Sequence, residues 1–210
     1  MSTNRTAIPG NKTVFSRSKK GVSLSELLIA VAVIGLMAGV TLPSFNVYRR
    51  KAAVVAAADV LRSVFREVRS AAVARGHNCG AKFVSNGTTW MYSIYVDTNG
   101  DGVTTADITS GVDRRIAGPF ALDSRLVPAT IAVPPMKVRD PDGDWMYPTD
   151  SPVQFNRSAI CSFSPIGSGT PGSIYLSDGV STFYAARVYG ASGKVRLVRY
   201  DAPTGKWVEP

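Results

Sequence analysis

The sequence predicts an α+β protein, with a long N-terminal helix packed on antiparallel β-sheets. Three observations carry this. An apolar run over residues 22–42 follows a basic stretch with no acid in it. Apolar residues then recur at helical spacing as far as residue 76. From residue 79 onward, strand-like runs succeed one another with turn residues between them. Strands that follow strands, rather than alternating with helices, argue for antiparallel sheets over a doubly wound fold.

Charge and composition narrow the function. The 210 residues carry 24 Lys+Arg against 15 Asp+Glu, a formal net charge of +9. Residues 1–21 hold Arg5, Lys12, Arg17, Lys19 and Lys20 and no acid, whereas residues 77–210 hold equal numbers of acids and bases. The high pI therefore belongs to the N-terminal third, which weakens any reading of the whole chain as a nucleic-acid binder. One His and two distant Cys leave no zinc site of the Cys/His kind. They leave no Ser-His-Asp or Cys-His set beyond what His77 alone supports, so neither an enzyme nor a cofactor is expected.

Residues 22–42 contain one charge, Glu26. At about 1.5 Å per residue, a helix of this length spans roughly 30 Å, the thickness of a bilayer core. The positive charges before it should keep the N-terminus cytoplasmic and send the rest across. A cleaved secretory signal has a shorter apolar core, about 7–15 residues. A plain anchor has no need of a carboxylate, which costs about 2.5–3.5 kcal/mol at mid-membrane and calls for a partner. If the chain is cut after Gly21, the new amino group on Val22 of a neighbouring subunit supplies one.

The run Lys19-Lys20-Gly21-Val22-Ser23-Leu24-Ser25-Glu26-Leu27-Leu28-Ile29 resembles the class III signal of type IV pilins and type II secretion pseudopilins. The resemblance implies that a prepilin peptidase cuts between Gly21 and Val22 and methylates the Val22 amine. It also implies that Glu26 serves subunit assembly, and Gly35 and Pro43 match the same helix. Val22 and Ser25 depart from the Phe and Ile usual there. The chain divides accordingly into a leader (1–21), a transmembrane helix half (22–43), an amphipathic half (44–76) and a periplasmic β-rich head (77–210).

Pro43 removes a backbone donor, so a bend or local melting is expected there. Beyond it Val60, Leu61, Val64, Phe65, Val68 and Ala72 form the stripe of an amphipathic helix, and Gly76 is its stop. The arginines between them form a solvated face, or a contact with lipid headgroups or neighbouring subunits.

In the head, residues 82–84 and 90–96 flank Asn86-Gly87, a hairpin signal. Residues 126–133, 153–155, 160–163, 174–176, 182–188 and 194–200 are further strand candidates. A Trp-containing strand ends in Asp97 and an Asn-Gly-Asp-Gly turn; a Phe163-Ser164-Pro165-Ile166-Gly167 segment and a closing hairpin with Gly193-Lys194-Val195-Arg196 follow. That order is similar to the GspH/FimT group of minor pseudopilins. The resemblance implies a structural subunit at or near the tip of a type II secretion pseudopilus. Its alternative is a type IV minor pilin that helps pilus assembly or binds DNA during uptake. Expected partners are the prepilin peptidase, the inner membrane, and other pilins or pseudopilins through the N-terminal helix. DNA is the candidate partner of Lys194 and Arg196, which alternation places on the outer strand face.

Two further sites stay open. Asp97, Asn99 and Asp101, with Gly102, match the first half of a calcium loop. The twelfth position is Ile108, however, and a polar turn is the preferred reading, with no metal expected. Cys79 and Cys161 would face an oxidising compartment, and they either form a disulfide or stand as two buried thiols.

Overall fold

The apolar stripe read from the sequence is the buried face of the first helix. In the computed structural model, which describes residues 21–210 and the side chains of all these except 38–44 and 123, helix α1 spans Leu24–Arg75. Val54, Ala57, Ala58, Leu61, Val64, Phe65, Val68 and Ala72 are all buried at three- and four-residue steps. Gly76 ends the helix in the left-handed conformation (φ 67°), its amide bonding back to the Ala72 carbonyl. Pro43 falls inside the α1 span, but its side chain, and with it the expected bend, lies outside the described residues.

The described residues fall into two compact units, divided between Ser44 and Phe45. In the second, one antiparallel sheet joins β1 (Cys79–Ser85), β2 (Trp90–Val96), β3 (Arg114–Ala121) and β8 (Ile160–Phe163) in the order β3-β2-β1-β8. A second sheet orders β12 (Lys206–Val208), β11 (Lys194–Asp201), β10 (Phe183–Tyr189), β9 (Gly172–Ser177) and β4 (Thr130–Ile131), and β7 (Val153–Gln154) also pairs with β9. β5 (Val138–Arg139) and β6 (Trp145–Met146) make a small hairpin of their own. Short helices α2 (Thr105–Ser110) and α3 (Asp123–Leu126) flank β3.

The main core lies where α1 meets the inner faces of both sheets. Phe65 is its centre, with Phe83, Phe155 and Phe163 at ring-centroid distances of 6.3, 5.8 and 6.5 Å. The first two meet it edge-on, the arrangement that the ring quadrupole favours. Val138, Met146, Tyr175, Ala185 and Val198 form a second cluster. The centre of the second sheet is thus buried on both faces, which explains the near-continuous apolar reading of β9 and β10.

One expectation is corrected, one strand was not foreseen, and the open alternative at the cysteines is resolved. The strand expected over 126–133 shrinks to Thr130–Ile131, because Pro128 has no amide to give a ladder and the preceding residues turn as α3. β3 was not expected. Its Arg114-Arg115 pair and Gly118-Pro119 step conceal an edge strand, a position where a sheet tolerates Pro. The disulfide is not formed: Cys79 and Cys161 are free and buried. They sit on neighbouring strands but two residues out of step, Cys79 opposite Phe163 and Cys161 opposite Ala81. Burial raises both thiols above their ordinary pKa, Cys161 the more.

Candidate functional site

The N-terminal unit presents its apolar side chains outward. Every described side chain from Val22 to Met37 is exposed, including Leu27, Leu28, Ile29, Ile34 and Leu36. An apolar helix exposed all round implies that lipid or other chains must cover it. Glu26 stands in the first turn of α1, where the helix dipole favours a negative charge. Gly21 and Val22 precede the helix in non-helical conformation, while Lys19 and Lys20 lie outside the described residues. Among the described residues no helix is long and apolar enough to cross a membrane. Residues 24–37 would rise only about 21 Å, and the next five of the apolar run are among those whose side chains are not described.

On the head, the closing hairpin behaves differently from the simple alternation. Lys194 and Arg196 are exposed and Leu197 is buried, but Val198, on the same face as the two cations, is buried as well. Arg187 lies directly opposite Arg196, and both guanidinium groups stand over the Tyr189 ring, at 5.1 and 5.7 Å. Each is also held by an acid: Arg187 pairs with Asp142 and Arg196 with Glu209. Of the three cations on this face, only Lys194 forms no ion pair among the described residues.

Sequence reasoning missed the partners that Lys194 does have. It lines a groove of about 390 Å³ with Arg62, Arg66 and Arg69 of α1, floored by Phe65 and Phe163. Arg69 Nη1 donates to the Gly193 carbonyl at 3.4 Å, which ties the hairpin turn to the helix. Asp59 offsets one of these charges through Arg62, 3.3 Å away. Helical spacing alone put the three arginines on one face; only the fold brings Lys194 to them.

The Asp97 turn is well ordered by hydrogen bonds. Oδ1 accepts from the Gly100 amide at 2.7 Å; Oδ2 accepts from the Gly102 amide and the Asn78 side chain, both at 2.8 Å. Burial raises its pKa, but these donors together with the Asn99 amide outweigh it and hold the carboxyl below its ordinary value. Asn99 and Asp101 are exposed. Among the described residues no three His, Cys, Asp or Glu gather in a way that could hold a metal ion. His77 is exposed, on the rim of a cavity of about 470 Å³ shared with Arg75, Asp97 and Arg114.

Residues 16–42 match the prokaryotic N-terminal methylation motif. No curated protein and no solved structure matches the chain significantly. The chain thus carries a type IV pilin-like signal, of the kind that goes with prepilin cleavage, methylation, association with other pilins and a membrane-anchored N-terminus. The helix on antiparallel sheets that follows is consistent with a pilin-like fold.

Proposed function

We propose that the chain is a minor pseudopilin, a non-enzymatic structural subunit at or near the tip of a type II secretion pseudopilus, supporting protein export across the outer membrane. The observation that carries this reading is the methylation motif at residues 16–42, joined to an exposed apolar helix whose one described charge is Glu26. In this reading the apolar half of α1 sits in the inner membrane until assembly. The leader stays cytoplasmic, the head is periplasmic, and Glu26 neutralises the methylated Val22 amine of a neighbour. Intact-mass analysis of membrane-extracted protein tests the premise. The expected mature chain begins at Val22 and carries one added methyl group; any other N-terminus removes the reading.

The second reading is a type IV minor pilin that helps pilus assembly or binds DNA during uptake. The groove that unites Lys194 with Arg62, Arg66 and Arg69 favours it. Clustered cations facing one cleft suit a phosphate backbone and carry no sequence information.

A further inference from the structure

We propose that the mouth of the β2–β3 hairpin is a calcium site, built on Asp97 and Asp113 and completed by neutral oxygens of the 97–102 turn. Register sets the two residues opposite each other. Val96 pairs with Arg114, so the next residues outward, Asp97 and Asp113, face each other across the hairpin. Thr98 Oγ1 donates to the Val112 carbonyl at 2.5 Å and closes the ladder one step further on. Residues directly opposite in an antiparallel pair project to the same side, and like charges there repel.

Both side chains are buried, at 1% and 2% relative exposure. Neither forms an ion pair among the described residues. Arg75, His77 and Arg114 line the cavity beside Asp97 without pairing with it. Asp113 Oδ2 accepts from the Thr104 amide at 2.9 Å, but Oδ1 is buried with no hydrogen-bond partner. A buried carboxylate oxygen without a partner is costly, more so beside a second carboxylate.

A cation relieves all of these penalties at once. The ligand set selects the ion. Asp107 is turned to Thr104 Oγ1, 2.6 Å away, so two carboxylates and not three meet at the mouth. The remaining ligands are then the Asn99 amide, backbone carbonyls and water. Calcium accepts six to eight such mixed oxygens in flexible geometry, whereas magnesium demands a near-ideal octahedron. Asp113 takes the part of the acid that a linear loop carries at its twelfth position, which here is Ile108.

The test uses the full chain in detergent after chelation. Thermal unfolding is followed while CaCl2 or MgCl2 is added, and isothermal titration of CaCl2 reads binding directly. With half-saturation at about 0.1–1 mM, typical of extracellular modules, a tenfold excess of calcium should raise Tm by about 3–6 °C. Magnesium should raise it less. Asp113→Asn, which keeps the shape and removes the charge, should unfold no lower than wild type without calcium and lose the calcium response. Asn99→Ala, at an exposed position, should weaken binding at least about threefold, and Asp144→Asn, on a distant turn, should respond as wild type. No heat and no shift at about 10 mM calcium would overturn the site. So would an equal response to magnesium, or a wild-type response in Asp113→Asn.

Discussion

Asp178 shows how one side chain can organise a turn. It sits between β9 and β10, and its Oδ1 accepts from the amides of Val180, Ser181 and Thr182 at 2.9, 2.8 and 2.9 Å. Burial alone would raise its pKa; the hydrogen bonds from Thr182, Val180 and Ser181 win and lower it. A carboxyl depressed in the folded state stabilises the fold above its ordinary pKa, and that contribution is lost as pH falls through the folded value. Asp178→Asn should therefore lower stability by about 1 kcal/mol at neutral pH. The gap from wild type should hold above about pH 5 and shrink toward zero below about pH 3. Thermal unfolding of both proteins across that range decides it, and a gap that does not change with pH would assign the turn to shape alone. The sequence shows a Ser-Asp-Gly turn at 177–179 but not which amides converge on it, because that depends on the β9–β10 register.

At the scale of elements, the groove between α1 and the β10–β11 turn makes the sharpest claim. Its cations come from a helix and from a hairpin more than a hundred residues away in sequence. If it binds DNA, Arg66→Ala with Lys194→Ala should abolish low-salt binding of a duplex to the full chain. Arg196→Ala should matter less, because Glu209 already holds that guanidinium. Two phosphate contacts give a steep loss of binding with salt, and titration at low and moderate salt reads both effects. Unchanged binding in the double variant would leave the structural reading alone. The elements of this groove were legible separately. The 3.6-residue stripe announced α1 and its stop at Gly76, and the alternation of Lys194–Tyr200 announced β11. Their meeting was not legible, since local pattern gives the face of an element and not its neighbour. β3 stayed hidden for a related reason: an edge strand buries little, so its sequence need not look apolar. Asp113 escaped notice because a fixed twelve-residue template cannot see an acid supplied across a hairpin.

For the whole molecule, the proposed role makes Glu26 separable from everything in the head. The second unit contains both apolar clusters, so Glu26→Ala should leave the head folded and the chain membrane-bound. Incorporation into filaments should fall by about tenfold or more, as expected when a buried charge loses its partner. Crosslinking or shearing of filaments measures it, and wild-type incorporation would mean that the carboxylate has no assembly partner. The ends of the sheets bear on what such assembly can use. β3 carries Pro119 and shifts of register against β2. Gly169 bridges to Phe163, and Thr170 exchanges hydrogen bonds with Ser162 along the outer side of β8. β12 is three residues long, and β4 and β7 share the last edge as two-residue pieces. A crowded array of heads therefore finds few open backbone ladders on its neighbours. Recognition between copies must run through side chains, which can be specific and can be undone, rather than through strand addition, which would lock the heads into aggregates.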